Sequence, residues 1–600
     1  MHINNRINGW LLGFTLMAAT LPYQIAVVIL PSPTFLNELV ALLGWSALII
    51  AASRLVAPAS FTPPLRSAMA AMGLLMAMVL VQTLSGQVLN GSTALHWLFF
   101  CGADSLCLLA GFRLAANGAA ITWVDRLAIA LVAGALMAFA TELFQYFQLS
   151  AHPFFVSALN EAGRIYGNMR QPNHMATFLC MGMVSSGWLF YRKKLGLIST
   201  ILLITTIAMG IILTSSRTGA LSLILLIIVG MKLSWQKKKN FSWLLALLVF
   251  IPAFTWALVT LAQHQVYEFY GAERWMETIG NPVQNTGTRL ELWKNSLNLL
   301  RENWLLGTGF GQFQFYYLLS NAPVEFPVAF NNAHLFPLQI AVEFGAPVAA
   351  LFFGLLCTAI YLAGSAFRTT IGLIASLLAM PVLIHSMFEF PLWYLYFLLP
   401  TSFALGLFLG SAVPAGASKN NTLPTPPTTA NKLQLLCAGL LPLLALVATS
   451  HYLALAAIYK PNGAGDTLTE RRETADKAFI FRPWVINSML TSALLESPTD
   501  DEARALLPEF DRAAIFHMDQ LFLYRYALVL TIAGDIERAK RVTYALGLQQ
   551  SPFIIKLKQY SENRSEKNFK VLSEFISAPT ELKISAKDFP KNNQSQRFTN

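Results

Sequence analysis

Five short polar segments interrupt apolar stretches of this chain, and each contains side chains that could take part in chemistry. Guanidinium groups bind phosphate oxygens in a two-point geometry and stay charged, whereas a neutral imidazole can accept a proton from a hydroxyl group. The combination suits a reaction in which a diphosphate leaves and a hydroxyl attacks. The segments are GNMRQPNH (167–174), SSRTG (215–219), TGTR (286–289) with GTGFG (307–311), NNAH (331–334) and HSMFEFPLW (385–393).

Three arginines in these segments are candidate phosphate ligands. Arg217 lies in a turn of a few residues between two apolar stretches, where it either extends to the membrane interface or holds an anion. Arg170 precedes another apolar stretch, and Arg289 precedes Trp293 by four residues. Taken alone, Arg289 is as compatible with the surface of an interfacial helix. The glycines at 307–311 do not follow a strand, so they predict no dinucleotide-binding fold.

The remaining candidates are a histidine and a group of polar side chains. His334 stands just before an apolar segment in which Pro337 suits the first helical turn, and the positive end of that helix favours a neutral imidazole. It is therefore a candidate catalytic base, with a purely structural histidine as the alternative. Gln171 and Asn173 flank Pro172 at another helix start, and His385 and Glu389 are spaced to share one helix face. A capped helix start and a structural ion pair are the alternatives for these last two sets.

The composition indicates that lipid is the solvent for most of the chain. Of the 600 residues, 55% are hydrophobic and only 12% are charged, and the mean hydropathy is +0.52. The net charge of +11 comes from Lys and Arg in short loops between apolar stretches, so it predicts membrane orientation rather than nucleic-acid binding. All five cysteines lie in or beside apolar stretches and form no C-x-x-C pair, which argues against a disulfide framework or a zinc site.

A helix needs about 20 apolar residues to cross the hydrocarbon core, and this length predicts about 13 transmembrane helices. The first is expected to be a retained anchor rather than a signal peptide. The predicted spans are 10–30, 36–53, 67–89, 95–112, 127–147, 174–191, 196–213, 218–233, 242–263, 335–363, 371–387, 391–412 and 433–457.

Basic residues alternate across these spans, and the alternation places the N-terminus inside and the C-terminus outside. The predicted organisation is all-α: N-terminal transmembrane helices over 1–263, a large periplasmic loop over 264–333, C-terminal transmembrane helices over 334–457 and a periplasmic helical domain over 458–600. Within that last domain, helices are expected over 501–514, 521–533 and 535–546. The last two have the rhythm of a tetratricopeptide-like hairpin, and a disordered end is expected after Ala586.

At these residues the sequence resembles the O-antigen ligase/Wzy superfamily, and most closely its PglL-type bacterial protein O-oligosaccharyltransferases. The resemblance rests on HSMFEFPLWYLYF (385–397), GNMRQPNHMATFL (167–179), SSRTGAL (215–221), the TR-x-x-x-W segment (288–293) with GTGFG, and NNAHLFPLQIAVEFG (331–345). Two positions depart from the pattern of the branch: Leu335 stands where Asn often follows the histidine, and Phe390 stands where Tyr often follows the glutamate.

The resemblance implies a transferase without metal or cofactor in the bacterial inner membrane, with its active site facing the periplasm. It would move a preassembled glycan from undecaprenyl diphosphate to Ser or Thr of a secreted or pilin-like protein. It also implies that His334 is the essential histidine, that Arg217 and Arg289 hold the diphosphate, and that Gln171 lines the same cleft. A ligase or polymerase with a lipid-linked acceptor, and a transporter of lipid-linked sugars, remain alternatives.

Overall fold

The computed structural model describes residues 2–88, 91–149, 152–158, 164–236, 282–319, 330–414, 429–459, 473, 477–491, 498–549, 551–579 and 582. Throughout these ranges the regular structure is helical, apart from one isolated bridge between Ile29 and Ser32. The prediction of an all-α fold is therefore confirmed. The α-helices are α1 His2–Ala19, α2 Phe35–Leu55, α3 Pro63–Leu84, α4 Gly91–Ala116, α5 Ala120–Tyr146, α6 Pro172–Tyr191, α7 Leu197–Leu213, α8 Arg217–Gln236, α9 Pro282–Glu302, α10 Phe313–Leu318, α11 Phe336–Phe344, α12 Ala346–Leu362, α13 Thr370–Ser386, α14 Leu395–Ser411, α15 Thr429–Tyr459, α16 Arg482–Leu490, α17 Asp500–Ala514, α18 Gln520–Ala533, α19 Ile536–Leu548, α20 Pro552–Glu562 and α21 Lys567–Ser577.

Several of these helices are suited to a bilayer. In the described ranges, α2, α3, α4, α5 and α15 are long and apolar enough to cross a membrane, and α7, α12, α13 and α14 are shorter apolar helices. Their positions match the predicted spans closely. The chain is accordingly a multi-pass membrane protein.

Within the described ranges, the predicted spans 10–30 and 335–363 are not single helices. The apolar stretch 10–30 is helical only to Ala19, because Pro22, Pro31 and Pro33 lack the N–H that a continuing helix needs. The stretch 335–363 divides at Gly345 into α11 and α12. Gly345 has φ +88°, and a β-carbon there would lie 2.3 Å from the carbonyl oxygen of Leu305, so only glycine fits this break.

The chain divides into two compact units. Unit 1 comprises residues 1–72, 100–282 and 354–446. Helix α6 is buried along almost its whole length in this unit, where it packs against α5, α7, α8 and α13. A helix that is apolar on all sides requires such surroundings. Gly219 allows the close approach of α8, because a β-carbon there would lie 2.4 Å from that of Ala176.

Unit 2 comprises residues 73–99, 283–353 and 447–600. Its hydrophobic core joins α9 and α10, which belong to the predicted periplasmic loop, to the tail helices α16 to α21; Leu292 and Phe313 share this core with Phe510 and Tyr526. Arg541 of α19 donates to the carbonyl oxygen of Leu319 at the end of α10 (3.1 Å). The three tail helices expected from the sequence are confirmed as α17, α18 and α19, and α20 and α21 follow them.

Some predicted features lie outside the described residues. These are the span 242–263 and the chain end after Ala586.

Candidate functional site

Glu389 of unit 1 is the centre of a buried hydrogen-bond network. It follows α13, and its carboxylate accepts from Asn173 Nδ2 at Oε1 (2.5 Å) and from Gln171 Nε2 at Oε2 (2.5 Å). His385, one helical turn earlier, approaches Oε2 with its Nε2 (3.2 Å). Asn173, His385 and Glu389 are each at most 9% exposed. The structure thus joins all four of these predicted residues, which come from two distant segments of the chain.

Hydroxyl groups fix the imidazoles of this network. Thr177 Oγ1 lies 2.9 Å from Nδ1 of His385. An ionised Glu389 carboxylate only accepts, so the neutral His385 tautomer that suits both contacts donates through Nε2 and accepts from Thr177 through Nδ1. A second histidine, His174, is 5.4 Å from His385 between ring centroids, and its Nδ1 lies 3.2 Å from the hydroxyl of Tyr396.

The two histidines and Glu389 are also the group that could hold a metal ion among the described residues, since their ligand atoms lie within 4.8 Å of one another. The carboxylate already accepts from three donors, and each imidazole has a hydroxyl partner. The group is therefore satisfied as a hydrogen-bonded network.

The network extends to the start of α8, where Arg217 is the first residue. Ser216 donates to Asn173 Oδ1 (2.5 Å), lies 3.0 Å from the hydroxyl of Thr218, and accepts from the backbone N–H of Gly219 (3.0 Å). Ser216 is 1% exposed, whereas the neighbouring Arg217 is exposed. A fixed serine thus holds the helix end that presents the arginine.

Arg170 caps the other end of this arrangement, immediately before Gln171. Its terminal nitrogens donate to the carbonyl oxygens of Ala26 (3.0 Å) and Pro33 (2.5 Å) and to Asn37 Oδ1 (3.0 Å). These contacts attach the start of α6 to the irregular segment that precedes α2.

In unit 2, His334 stands two residues before α11, in a loop that three hydrogen bonds hold in place. Asn332 Oδ1 accepts from the backbone N–H of His334 (2.9 Å), and Gln339 Oε1 accepts from that of Ala333 (2.7 Å). Trp293 Nε1 donates to the carbonyl oxygen of Ala333 (3.1 Å). Because Arg289 lies one turn before Trp293 on α9, this bond brings the helix that carries the arginine against the histidine loop.

The GTGFG segment of the same unit is a packing element. Gln82 donates to the carbonyl oxygens of Leu306 (3.0 Å) and Glu343 (2.9 Å), and its own Oε1 accepts from the N–H of Phe310 (3.1 Å). Glu343 Oε1 accepts from the N–H of Gly311 (2.9 Å). The segment therefore attaches the end of α11 to α3.

Backbone strain falls on the same segments. Arg170 (φ 56°), Ser215 (φ 52°) and His334 (φ 49°) are three of five non-glycine residues in the described chain with a left-handed backbone. Such conformations cost of order 1–3 kcal/mol and concentrate at functional sites. Each stands two residues before the start of a helix, which is α6, α8 or α11 respectively.

Sequence reasoning missed the hydroxyl groups that complete the network. Ser216, Thr177 and Tyr396 lie inside or next to the quoted motifs, and their burial was the missing information. A serine or threonine in an apolar helix does not by itself indicate a polar network, because its hydroxyl can bond to a carbonyl oxygen of its own helix.

Comparisons with known proteins match these segments. The O-antigen ligase family model matches residues 201–353, the model for the C-terminal part of a virulence factor membrane-bound polymerase matches 373–546, and the protein glycosylation ligase model matches 165–190. The five polar segments all lie within these ranges.

A curated relative supports the same grouping. The chain is 28% identical over 334 residues to a protein of Acinetobacter baylyi named General O-oligosaccharyltransferase. The match covers 54% of this chain and 57% of the relative, so it spans little more than half of either protein. The chain is thus similar to O-antigen ligases and protein glycosylation ligases over these ranges, and to a protein named as an oligosaccharyltransferase over about half of its length.

Proposed function

We propose that this protein transfers a preassembled glycan en bloc from undecaprenyl diphosphate to a Ser or Thr hydroxyl of a periplasmic, pilin-like protein. The family match and the name of the Acinetobacter relative support the class of reaction. In this proposal the protein lies in the bacterial inner membrane with its site facing the periplasm, as the distribution of basic residues indicates.

The observation that carries the proposal is the fixed loop of His334 beside the helix that bears Arg289. A candidate base and a candidate cation, on two segments joined by the bond from Trp293 to the Ala333 carbonyl, suit a reaction that removes a proton and releases an anion. The left-handed backbone of His334 fixes where its imidazole leaves the chain.

The proposed step is a single displacement. The acceptor hydroxyl oxygen attacks the anomeric carbon of the glycan, and the bond from that carbon to the phosphate oxygen breaks. His334 takes the hydroxyl proton, and the diphosphate leaves with the electron pair. In-line displacement inverts the anomeric carbon. Arg217 and Arg289 neutralise the departing diphosphate in the same reaction.

The position of Arg217 favours an anionic ligand. As the first residue of α8 it adds a positive charge to a helix end that is already positive, an arrangement that an anion relieves. Arg170 uses its guanidinium on carbonyl oxygens and Asn37, so in this proposal it positions the start of α6. In this proposal the part of the site that binds the donor is held in position by the network of Gln171, Asn173, His385 and Glu389.

The test is a reaction of purified full-length protein with a defined undecaprenyl-diphosphate-linked oligosaccharide. A pilin and a lipid A-core acceptor are supplied side by side, with and without EDTA. We expect glycan on the pilin and equal rates with EDTA, since the proposed step needs no metal. His334→Ala should abolish transfer, while His152→Ala, which alters an exposed histidine, should not.

Other results would assign a different activity. Transfer to lipid A-core alone would make the protein an O-antigen ligase, in keeping with the family model over 201–353. Elongation of the lipid-linked unit would make it a polymerase. Movement of the lipid-linked sugar across vesicles without any product would identify a transporter.

A further inference from the structure

A cleft of about 180 Å³ lies within unit 2, and the proposed reaction does not use it. His334 is not among the described residues that line it. One wall is formed by Phe310 and Gly311 of the packed segment 307–311 with the adjoining Gln312, and the other by α16 and the end of α17. The lining is largely apolar and includes Phe310, Ile486 and Phe516. Two guanidinium groups, those of Arg482 and Arg512, border it.

The loop wall of the cleft is rigid. Phe310 is completely buried, and its N–H is held by Gln82. Gln312 is 4% exposed and donates through Nε2 to the carbonyl oxygen of Gln87 (2.7 Å). A ligand would therefore meet a surface already in place, which lowers the entropic cost of binding.

The opposite wall provides the charge. Arg512 has a side chain that is 31% exposed and forms an ion pair with Glu509 (3.1 Å), which is itself 29% exposed. Pairs exposed to this extent are worth little, so Arg512 can exchange this partner for a ligand carboxylate. Among the described residues that line the cleft, none is acidic. The cleft is thus complementary to a negative group.

The remaining lining decides which anion fits. A sugar ring presents several hydroxyl groups and needs many polar partners, whereas apolar side chains predominate here. An extended polypeptide that places an apolar side chain next to Asp or Glu suits this lining, because its carboxylate reaches the arginines and its apolar side chain reaches the partly exposed Ile486 and Phe516.

We propose that this cleft binds the acceptor protein through an apolar residue adjacent to an acidic one, near the hydroxyl that is glycosylated. This inference rests on the proposed function, because it assumes a protein acceptor. The cleft belongs to the same compact unit as His334, so a polypeptide held there is bound by the unit that carries the proposed base.

The experiment measures binding separately from transfer. Two fluorescent Ser-containing peptides, identical except that one carries Leu-Asp where the other carries Leu-Asn, are titrated by anisotropy into full-length protein without donor. We expect the Leu-Asp peptide to bind about tenfold more tightly. The double variant R482Q/R512Q should lose this preference, and Arg504→Gln, an exposed arginine on the same helix as Arg512, should keep it.

Each result decides the proposal. Equal binding of both peptides by the wild type, or a preference that survives in R482Q/R512Q, overturns it. A variant with weaker donor use and unchanged peptide binding would assign the cleft to an anionic glycan instead and also overturn it. If the double variant does not fold, Arg512→Gln alone should shift the preference in the same direction. Peptide binding without any transfer to protein would refute the proposed function and leave the cleft as a peptide site.

Discussion

Replacing Glu389 by glutamine tests whether the buried network positions the reaction. The substitution preserves size and removes the charge. A glutamine offers one oxygen and one NH2 group, whereas the carboxylate accepts from Asn173 at one oxygen and from Gln171 and His385 at the other. If the glutamine oxygen keeps the latter pair, its NH2 group faces the NH2 group of Asn173. Asn173 cannot simply rotate, because its own oxygen accepts from Ser216.

The magnitude follows from the bond that is lost. A hydrogen bond to a charged acceptor contributes about 1.5–3 kcal/mol. If the network holds its geometry in the transition state, the loss lowers kcat about tenfold to hundredfold, since about 1.4 kcal/mol corresponds to a factor of ten. The effect reaches Arg217 through Ser216, so we also expect a higher KM for the lipid-linked donor.

The assay is steady-state glycan transfer with purified protein, varying donor and acceptor separately, together with thermal unfolding in detergent. Glu302→Gln, which changes an exposed carboxylate, is the matched control and should leave the rate unchanged. A folded Glu389→Gln protein with the wild-type kcat and donor KM would refute the positioning role. A protein that loses stability in proportion to its activity would show that the network is structural only.

Two further predictions concern unit 2. Gly345→Ala should lower the free energy of unfolding by about 1–3 kcal/mol, because the residue has φ +88° and its β-carbon would meet the Leu305 carbonyl oxygen. Thermal unfolding measures this loss, and an unchanged melting temperature would contradict the prediction. Burial lowers the pKa of His517 below its ordinary value of 6.5, so the unfolded chain binds the extra proton and stability is lost as the pH falls below about 6.5. His517→Gln should therefore lose less stability than the wild type between about pH 7.5 and 5.5, and parallel melting curves would refute this.

Helix positions could be predicted from the sequence because membrane spans have a length set by the bilayer. The prediction failed where one residue decides the backbone. Nothing in the hydropathy of 335–363 marks Gly345 as a break, since the break depends on the close approach of Leu305 from another part of the chain. The prolines after Ala19 are present in the sequence, but a prediction based only on the length of the apolar stretch does not take them into account.

Part of the candidate site could be predicted because placing charged or polar side chains in a membrane costs free energy. Glu389 and His385 attracted notice because a charged group among apolar residues needs a partner. The sequence also predicts Gln171 and Asn173, the partners of Glu389, as candidate residues, but the connection between the two segments is a tertiary contact that no local pattern contains. The hydroxyl of Ser216 was missed for the opposite reason, because a buried serine costs little when it bonds nearby.

Burial separates the predicted residues into two kinds with different tasks. Glu389, His385 and Asn173 are buried and bond to one another and to Gln171, Thr177 and Ser216, so they have fixed positions and little access to a substrate. Arg217 is exposed and stands two residues after Ser215, which has a left-handed backbone. His334 is half-buried and has a left-handed backbone itself. A strained backbone persists only where its surroundings hold it in place. The buried network beneath Ser216 holds the turn at Ser215 in this way, and the bonds from Asn332, Trp293 and Gln339 do so for the His334 loop. Mutations in the network should therefore act on the reaction through geometry, whereas mutations of Arg217 and His334 remove its charge and its base.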